Sequence, residues 1–362
     1  MSNVIPEGRS APLLFDVLPD LARRLPWTPL AHLPTPVEPC DAIAGWLGRG
    51  GVFMKRDDLV SPLYGGNKVR RYEMVLADAK AKGAKRIVTA GGIASTQVMA
   101  TALFGEALGF EVCAVLFDQP VTDFAKASLL GYAGAGVEIV HGGGYAMTAL
   151  RALRAYRRVP GSYFIMPGAS DPVANLGYVD AMLELAAQVD RGEAPRPDVI
   201  VVPTGSSGTL AALALGAAYL GWRTEVVGVR ITTALACNRL TVKWIIRNTD
   251  RFLTRDPRWR PMRDHARFSL LGSELGPGYG HPTDAAREAA ARWADLTGVP
   301  GEVTYSGKAL AAVRALCRDP ARRDQTILLW NTLSTPRPTP APEARARLPR
   351  SLDRVLDTPS VA

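Results

Sequence analysis

The chain has 362 residues, 47% of them hydrophobic, and a formal net charge of +9. At a prior of ~150 residues per domain, this length predicts about two globular domains with sizeable cores. The basic excess lies in arginine clusters at 151–158, 247–267 and near the end of the chain. We interpret these clusters as charged surface, so the composition does not favour a nucleic-acid-binding protein.

The cysteine spacing and the apolar runs argue against metal-binding, disulfide-rich and membrane-spanning proteins. The four cysteines are widely separated, with no Cys-x-x-Cys pair, at Cys40, Cys113, Cys237 and Cys317. This spacing predicts neither a zinc site nor a disulfide framework, so we expect no bound metal and a reduced, cytoplasmic compartment. No signal-peptide pattern is visible at the start of the chain. The longest apolar run, Leu210 to Trp222, is too short to span a bilayer and predicts a buried helix.

Short β-branched segments alternate with longer helix-like segments, a pattern typical of parallel sheets covered by helices. Strands are predicted at 52–55, 86–89, 112–117, 137–140, 163–166, 199–202, 225–230 and 326–330. Helices are predicted at 72–82, 96–108, 122–133, 146–157, 174–189, 209–220, 283–297 and 308–316. The fold class is therefore α/β. Six prolines and five arginines among the last 29 residues predict a disordered tail at 334–362.

The most informative motif is Gly65-Gly66-Asn67-Lys68, between the first predicted strand and the first predicted helix. Two glycines allow backbone conformations that a Cβ would forbid, and they let a ligand approach a helix start where anions are favoured. A lysine there suits a cofactor with an aldehyde and a phosphate, and the cations Arg70 and Arg71 would help it lose its proton. The alternative is an ordinary turn with a solvated lysine.

A second glycine-rich turn, Thr204-Gly205-Ser206-Ser207-Gly208-Thr209, joins an apolar strand to an alanine-rich helix. Its backbone N–H groups and hydroxyls can converge on one centre at a positive helix end, which predicts a phosphate cup. No lysine follows the last glycine and the spacing is not Gly-x-Gly-x-x-Gly, so ATP and dinucleotide sites are disfavoured. A plain glycine-rich turn remains the alternative.

A third turn of this kind, from Gly91 to Gln97, suits a carboxylate, or is simply a helix start capped by Ser95 or Thr96. For Asp57 and Asp58 we favour a solvated or structural ion pairing with the adjacent Lys55 and Arg56.

Together, these motifs resemble the 1-aminocyclopropane-1-carboxylate deaminase and D-cysteine desulfhydrase family over roughly residues 33–330. The resemblance rests on Lys55-Arg56-Asp57-Asp58-Leu59, Gly65-Gly66-Asn67-Lys68-Val69-Arg70-Arg71, Gly91-Gly92-Ile93-x-Ser95, the 204–209 turn, Gly278-Tyr279-Gly280 and Tyr305-Ser306-Gly307-Lys308-Ala309. It implies a tryptophan-synthase-β-like, fold type II pyridoxal phosphate enzyme. Two open, twisted parallel-sheet domains would hold the cofactor between them, with a small domain (72–180) inserted in a large one (1–71 and 181–333).

The resemblance also implies roles for individual residues. Lys68 matches the Schiff-base lysine, which also removes the substrate α-proton, and Arg71 stands where the family has a phosphate-binding lysine. Tyr279 and Tyr305 match active-site tyrosines, and Ser306 matches the residue opposite the pyridine nitrogen. The remaining expected cofactor ligands are Asn67, Thr204, Gly205, Ser206, Ser207, Gly208 and Thr209, and the expected substrate ligands are Ser95, Thr96 and Gln97.

Three departures from the family pattern bear on the substrate. Tyr305-Ser306 replaces the Tyr-Glu of many deaminases, which favours the desulfhydrase branch; Thr96 replaces an asparagine; and residues 330–334 replace His-Thr-Gly-Gly. We expect β-elimination from a small amino acid by a cytoplasmic homodimer with no nucleic-acid or membrane partner. Ring opening of a cyclopropane amino acid, β-replacement, an unusual amino-acid substrate and a non-catalytic cofactor-binding protein remain alternatives.

Overall fold

The computed structural model describes residues 11–334 and 342–361. Its strands are β1 (Val37–Pro39), β2 (Val52–Lys55), β3 (Arg86–Gly92), β4 (Glu111–Phe117), β5 (Glu138–Gly143), β6 (Tyr163–Ile165), β7 (Val199–Thr204), β8 (Glu225–Arg230), β9 (Phe268–Leu271) and β10 (Ile327–Trp330). Its α-helices are α1 (Leu13–Val17), α2 (Pro19–Ala22), α3 (Asp41–Leu47), α4 (Val69–Ala81), α5 (Thr96–Ala107), α6 (Asp123–Gly134), α7 (Tyr145–Arg158), α8 (Pro172–Asp190), α9 (Gly208–Tyr219), α10 (Arg239–Leu253), α11 (Asp284–Thr297), α12 (Ser306–Cys317) and α13 (Arg350–Asp357).

These strands form two sheets. One has six strands in the order β1-β2-β10-β7-β8-β9, and the other has four in the order β5-β4-β3-β6. All neighbouring strands run parallel except β1, which pairs antiparallel with β2. The eight predicted strands and eight predicted helices are present, with ends shifted by a few residues at most.

Sequence reasoning missed two strands and five helices. β1 and β9 are short edge strands of three and four residues, too short to show a clear alternation. Helices α1 to α3 are also short. The longer α10 carries a clear apolar face at Val242, Ile245 and Ile246 and an Asn238 N-cap, both of which were available in the sequence.

The end of the chain corrects the prediction of a disordered tail. Over 342–361 the chain forms a short 3-10 turn and α13, and the side chains of Ala344, Leu348 and Leu352 are buried against the four-stranded sheet's core. Val361 N bonds to Val121 O at 2.7 Å, which holds this segment beside α6. The four-residue spacing of Leu348 and Leu352 outweighs the proline and arginine content. Residues 335–341 and 362 of the predicted tail lie outside the described residues.

The glycines of the lysine turn are required by close packing. A Cβ on Gly65 would lie 2.0 Å from the carbonyl oxygen of Asp58, and one on Gly66 would lie 2.5 Å from that of Thr332. Gly66 also has a φ of +85°, which L-residues rarely adopt. The segment after β10 therefore supports the turn, and Ser334 Oγ accepts a hydrogen bond from Gly65 N at 2.9 Å.

Candidate active site

A cleft of about 670 Å³ lies where the carboxyl ends of strands from both sheets meet. This is where ligands bind in open α/β folds. Most of the sequence-predicted site residues line it: Asn67, Lys68, Ser95, Thr96, Gln97, Thr204, Gly205, Ser206, Ser207, Thr209, Tyr279 and Tyr305. Arg71, Gly208 and Ser306 are the predicted residues that lie outside its described lining.

Lys68 is buried at the N-terminal end of α4, and its Nζ donates to Asn67 Oδ1 at 2.9 Å. Burial and then the nearby charge of Arg71 hold the pKa of Lys68 well below its usual value. The alternative of a solvated lysine is therefore excluded. A neutral amine is what both nucleophilic attack and proton abstraction require.

Arg71 lies behind the wall of the cleft, where it is fully buried. It donates to Thr209 Oγ1 at 2.9 Å and to Asn175 Oδ1 at 3.3 Å, both neutral acceptors. Its Nε has no hydrogen-bond partner among the described residues, and burial lowers its pKa to about 10. A buried guanidinium with an unused donor next to a glycine turn fits a phosphate dianion.

The 204–209 turn has the geometry of an anion cup. Ser207 adopts the left-handed conformation with φ +67° and precedes the first turn of α9, whose N–H groups point out of the helix. Ser207 Oγ donates to the sulfur of the buried Cys237 at 3.2 Å, and Ser170 donates to Ser206 Oγ at 2.7 Å. Thr209 Oγ1 accepts from both Arg71 and Asn67 Nδ2. The turn, Arg71 and Lys68 thus form one connected group.

The turn from Gly91 to Gln97 opens α5, with Ser95 as its N-cap accepting from Val98 N at 3.3 Å. The helix start faces the cleft and suits a carboxylate. Gln97 has a different set of contacts. Its Nε2 donates to Thr89 Oγ1 at 2.7 Å and to Met166 O at 3.2 Å, and its Oε1 accepts from Gly168 N. The amide of Gln97 therefore holds the segment after β6 in place.

Tyr279 and Tyr305 form a pair, with their hydroxyl oxygens 2.6 Å apart and their rings edge to face. Burial raises the pKa of Tyr279 to about 12 and raises the pKa of Tyr305 well above its usual value. Both therefore keep their protons near neutral pH. One hydroxyl can donate to the other, which leaves a proton available to a group in the cleft.

Ser306 is the first residue of α12, directly after Tyr305. Its Oγ accepts from Glu302 N at 2.9 Å, and it lines a small cavity of about 10 Å³ that shares Pro203 and Thr332 with the main cleft.

Sequence reasoning missed Glu302, whose buried carboxylate accepts from the N–H groups of Thr304 and Ser306 at 2.7 and 2.9 Å and from that of Tyr305. Glu302 thereby fixes the backbone that carries Tyr305.

Beneath the lysine turn lies a buried ionic network that corrects the prediction for Asp57. Arg70 forms ion pairs with Asp57 at 2.8 Å and with Glu184 at 2.9 Å, and Lys55 pairs with Glu184 at 2.6 Å. Only Asp58 pairs as expected, with Arg56 at 2.9 Å. Although burial opposes it, Arg70 and Lys55 lower the pKa of Glu184 to about 2. Arg70 is thus paired with two carboxylates, whereas Arg71, whose charge lowers the pKa of Lys68, makes no ion pair among the described residues.

Other cleft-lining residues went unrecognised in the sequence. Phe117 and Tyr145 come from β4 and the start of α7, and Trp244 and Asn248 from α10. The triplet 142–144 before Tyr145 is a further glycine-rich strand-to-helix turn, a signal that could have been used.

Among the described residues no group of three or more His, Cys, Asp or Glu could hold a metal ion, and no helix is long and apolar enough to cross a membrane.

The two-sheet architecture, the buried lysine in a glycine turn and the anion cup together define a fold type II pyridoxal phosphate enzyme. A family model described as pyridoxal-phosphate dependent enzyme matches residues 29–332, and the chain belongs to that family.

Curated relatives and solved structures agree with this assignment. The D-cysteine desulfhydrase of Salmonella schwarzengrund (strain CVM19633) is 32% identical over 299 residues, which cover 80% of this chain and 88% of the relative. The crystal structure of an ACC deaminase homologue superposes with a TM-score of 0.73 at 26% identity, covering 89% of this chain and 94% of that one. A threonine deaminase from T.th., 22% identical with a TM-score of 0.59 and coverages of 84% and 93%, shares the fold. The chain is a pyridoxal phosphate-dependent lyase or deaminase.

Proposed function

We propose that the protein catalyses β-elimination from a small amino acid, giving a 2-oxo acid and ammonia, as the name of the D-cysteine desulfhydrase relatives suggests. One observation carries the proposal: a buried lysine with a lowered pKa and a hydrogen-bonded tyrosine pair line the same cleft. These groups are the base and the acid that an elimination needs.

The proposed cofactor ligands follow from the site. Lys68 would hold pyridoxal phosphate covalently, and Asn67, Arg71 and the 204–209 turn would bind its phosphate and neighbouring atoms, with Ser306 at the pyridine nitrogen. When bound, pyridoxal phosphate supplies an electron sink for negative charge at the substrate's α-carbon.

Two proton movements are assigned to this chain's own residues. Lys68 Nζ, whose pKa is lowered by burial and by the charge of Arg71, takes the α-proton. A hydroxyl of the pair formed by Tyr279 and Tyr305 gives a proton to the leaving group, because both remain protonated near neutral pH. The N-terminal end of α5, with Ser95 and Thr96, would bind the substrate carboxylate, and Gln97 would support it from behind.

Ring opening of a cyclopropane amino acid uses the same set of groups and is the second candidate, because the ACC deaminase homologue shares most of the fold. A serine at position 306 favours elimination. A hydroxyl is a weaker proton donor to the pyridine nitrogen than a carboxylic acid, so it supports less charge delocalisation into the ring.

The test is a 2-oxo acid assay on the cofactor-loaded protein. D-cysteine and β-chloro-D-alanine should give pyruvate, and 1-aminocyclopropane-1-carboxylate should give little 2-oxobutanoate. Faster turnover of the cyclopropane substrate would replace the first proposal by the second. Product formation only with an added nucleophile would indicate β-replacement, and no turnover of any of them would indicate a binding protein.

We further propose the domain bounds 72–180 for the small domain and 1–71 with 181–333 for the large one. The four-stranded sheet lies within 86–165, and the six-stranded sheet draws on 37–55 and 199–330, which supports this division. We also propose a cytoplasmic homodimer. The four free cysteines suit a reducing compartment, and light scattering would test the oligomeric state.

A further inference from the structure

A row of aromatic rings leads from the tyrosine pair to the mouth of the cleft. Tyr305 contacts Tyr279, whose ring centroid lies 6.2 Å from that of Phe117, and Phe117 in turn lies 4.6 Å from Tyr145. All four residues line the cleft. The row therefore begins at the groups assigned to the leaving group's proton and ends in solvent, where Tyr145 is 63% exposed.

Two further large apolar side chains that line the cleft are exposed to solvent. Met166, after β6, and Trp244, on α10, line the cleft and are 58% and 64% exposed. Large apolar side chains are rarely left uncovered together unless they bind something. A cysteine thiol or a chloride leaving group would be too small to reach them.

The few charged residues in the lining further restrict the class of ligand that the cleft can bind. Among the described lining residues, the charged ones are Lys68 and Asp171. Lys68 belongs to the catalytic centre, and Asp171 is the N-cap of α8, accepting from Ala174 N at 3.0 Å. The aromatic row thus offers stacking surface and no ionic partner, which suits an uncharged aromatic group.

We propose that the preferred substrates are cysteine thioethers whose sulfur carries an uncharged aromatic substituent, such as S-benzylcysteine. The inference rests on the proposed β-elimination and specifies its substrate class. The α-amino acid part would lie between Lys68 and the start of α5, and the aromatic group would lie along Phe117 and Tyr145.

The reaction balances without an oxidant or reductant. The α C–H and the β C–S bonds break, the thiolate takes a proton from the tyrosine pair, and the resulting 2-aminoacrylate is hydrolysed. S-benzylcysteine and water thus give benzyl mercaptan, pyruvate and ammonium.

The experiment compares kcat/KM of the cofactor-loaded protein for S-benzylcysteine, cysteine and β-chloroalanine, each as both enantiomers. S-benzylcysteine should exceed cysteine of the same configuration by about tenfold, since one or two aromatic contacts add roughly this much. In Tyr145→Ala the ratio of kcat/KM for S-benzylcysteine to that for β-chloroalanine should fall about five- to tenfold. Tyr156→Ala is the matched control, because Tyr156 is on the same helix, is 38% exposed and packs on Phe164. It should leave the ratio unchanged.

A binding measurement separates recognition from turnover. Calorimetry on the Lys68→Ala protein with pyridoxal phosphate should give tighter binding of S-benzylcysteine than of S-methylcysteine, which has the thioether without the ring. Turnover of cysteine or β-chloroalanine without any preference for the benzyl thioether would overturn this inference and leave the proposed function standing. An unchanged ratio in Tyr145→Ala would also overturn it. Absence of elimination with every substrate would overturn both.

Discussion

Lys68 donates a hydrogen bond from Nζ to the side-chain oxygen of its neighbour Asn67 at 2.9 Å, and Asn67 in turn donates to Thr209 in the 204–209 turn. The reactive amine and the anion site are thus connected through a single side chain. The glycine turn allows this geometry, because it lets Asn67 N come close enough to donate to Thr332 O at 3.3 Å. Thr332 lies in the segment that follows β10.

Replacing Lys68 should separate its chemical role from its cost to folding. Lys68→Met should abolish borohydride-stable attachment of the cofactor and lower turnover by several orders of magnitude. Because the native pKa of Lys68 lies below its unfolded value, the unfolded chain binds more protons and the stability of the cofactor-free protein rises with pH between those two values. The variant should lose that rise and melt higher near neutral pH. Thermal melts from neutral to mildly alkaline pH would measure this, and a lower melting temperature would contradict it.

Removing the hydroxyls of the tyrosine pair should affect catalysis far more than folding. Acid–base catalysis contributes about 10² to 10⁴-fold, roughly 3 to 5 kcal/mol of barrier. We expect Tyr305→Phe or Tyr279→Phe to lower kcat by that factor in at least one case. Losing the bond between the two hydroxyls should cost about 0.5 to 1.5 kcal/mol of stability. Near-full turnover in both variants on a confirmed substrate would exclude the pair as the proton donor.

Arg71 should matter for cofactor affinity. Hydrogen bonds to charged groups are worth roughly 1.5 to 3 kcal/mol, so Arg71→Met should raise the dissociation constant of pyridoxal phosphate about 10- to 100-fold. Arg71→Lys is the matched variant, which keeps a cation where the family has a lysine and should retain most of the affinity. An absorbance titration would report both constants. Equal affinity for the wild type and Arg71→Met would remove Arg71 from the phosphate site.

Because of the buried Glu73, we expect the free energy of unfolding to depend on pH independently of catalysis. Burial raises its pKa from 4.5 to about 7, and its carboxylate accepts from the N–H groups of Leu30 and Ala31 at 3.0 and 3.1 Å. Since the native state binds the extra proton, this contribution to stability is full below pH 4.5 and is lost as the pH rises through about 7. Glu73→Gln should keep the acceptor and remove this loss. Denaturant unfolding across that range would show a flatter profile, and an unchanged profile would refute the assignment.

Ser306 offers a test of the ring partner. Ser306→Ala should retain cofactor binding, whereas Ser306→Asp should strengthen the proton donor at the pyridine nitrogen and increase transamination, measured as pyridoxamine phosphate formed per turnover. If neither variant changes that ratio, Ser306 does not face the nitrogen. Its Oγ would then serve only its two backbone contacts with Glu302, accepting from the N–H and donating to the carbonyl oxygen.

The sequence by itself determined the α/β alternation, the glycine turns and the candidate lysine, because these depend on local backbone freedom and on short apolar periods. Only the tertiary structure decided which charged side chains form ion pairs. Asp57 pairs with Arg70, 13 residues on, rather than with Lys55, two residues before it, because Lys55 reaches Glu184 across the fold. The contacts along the row of rings from Tyr305 to Tyr145 likewise join distant segments. Such contacts have no local signature, since the packing of the two sheets sets them.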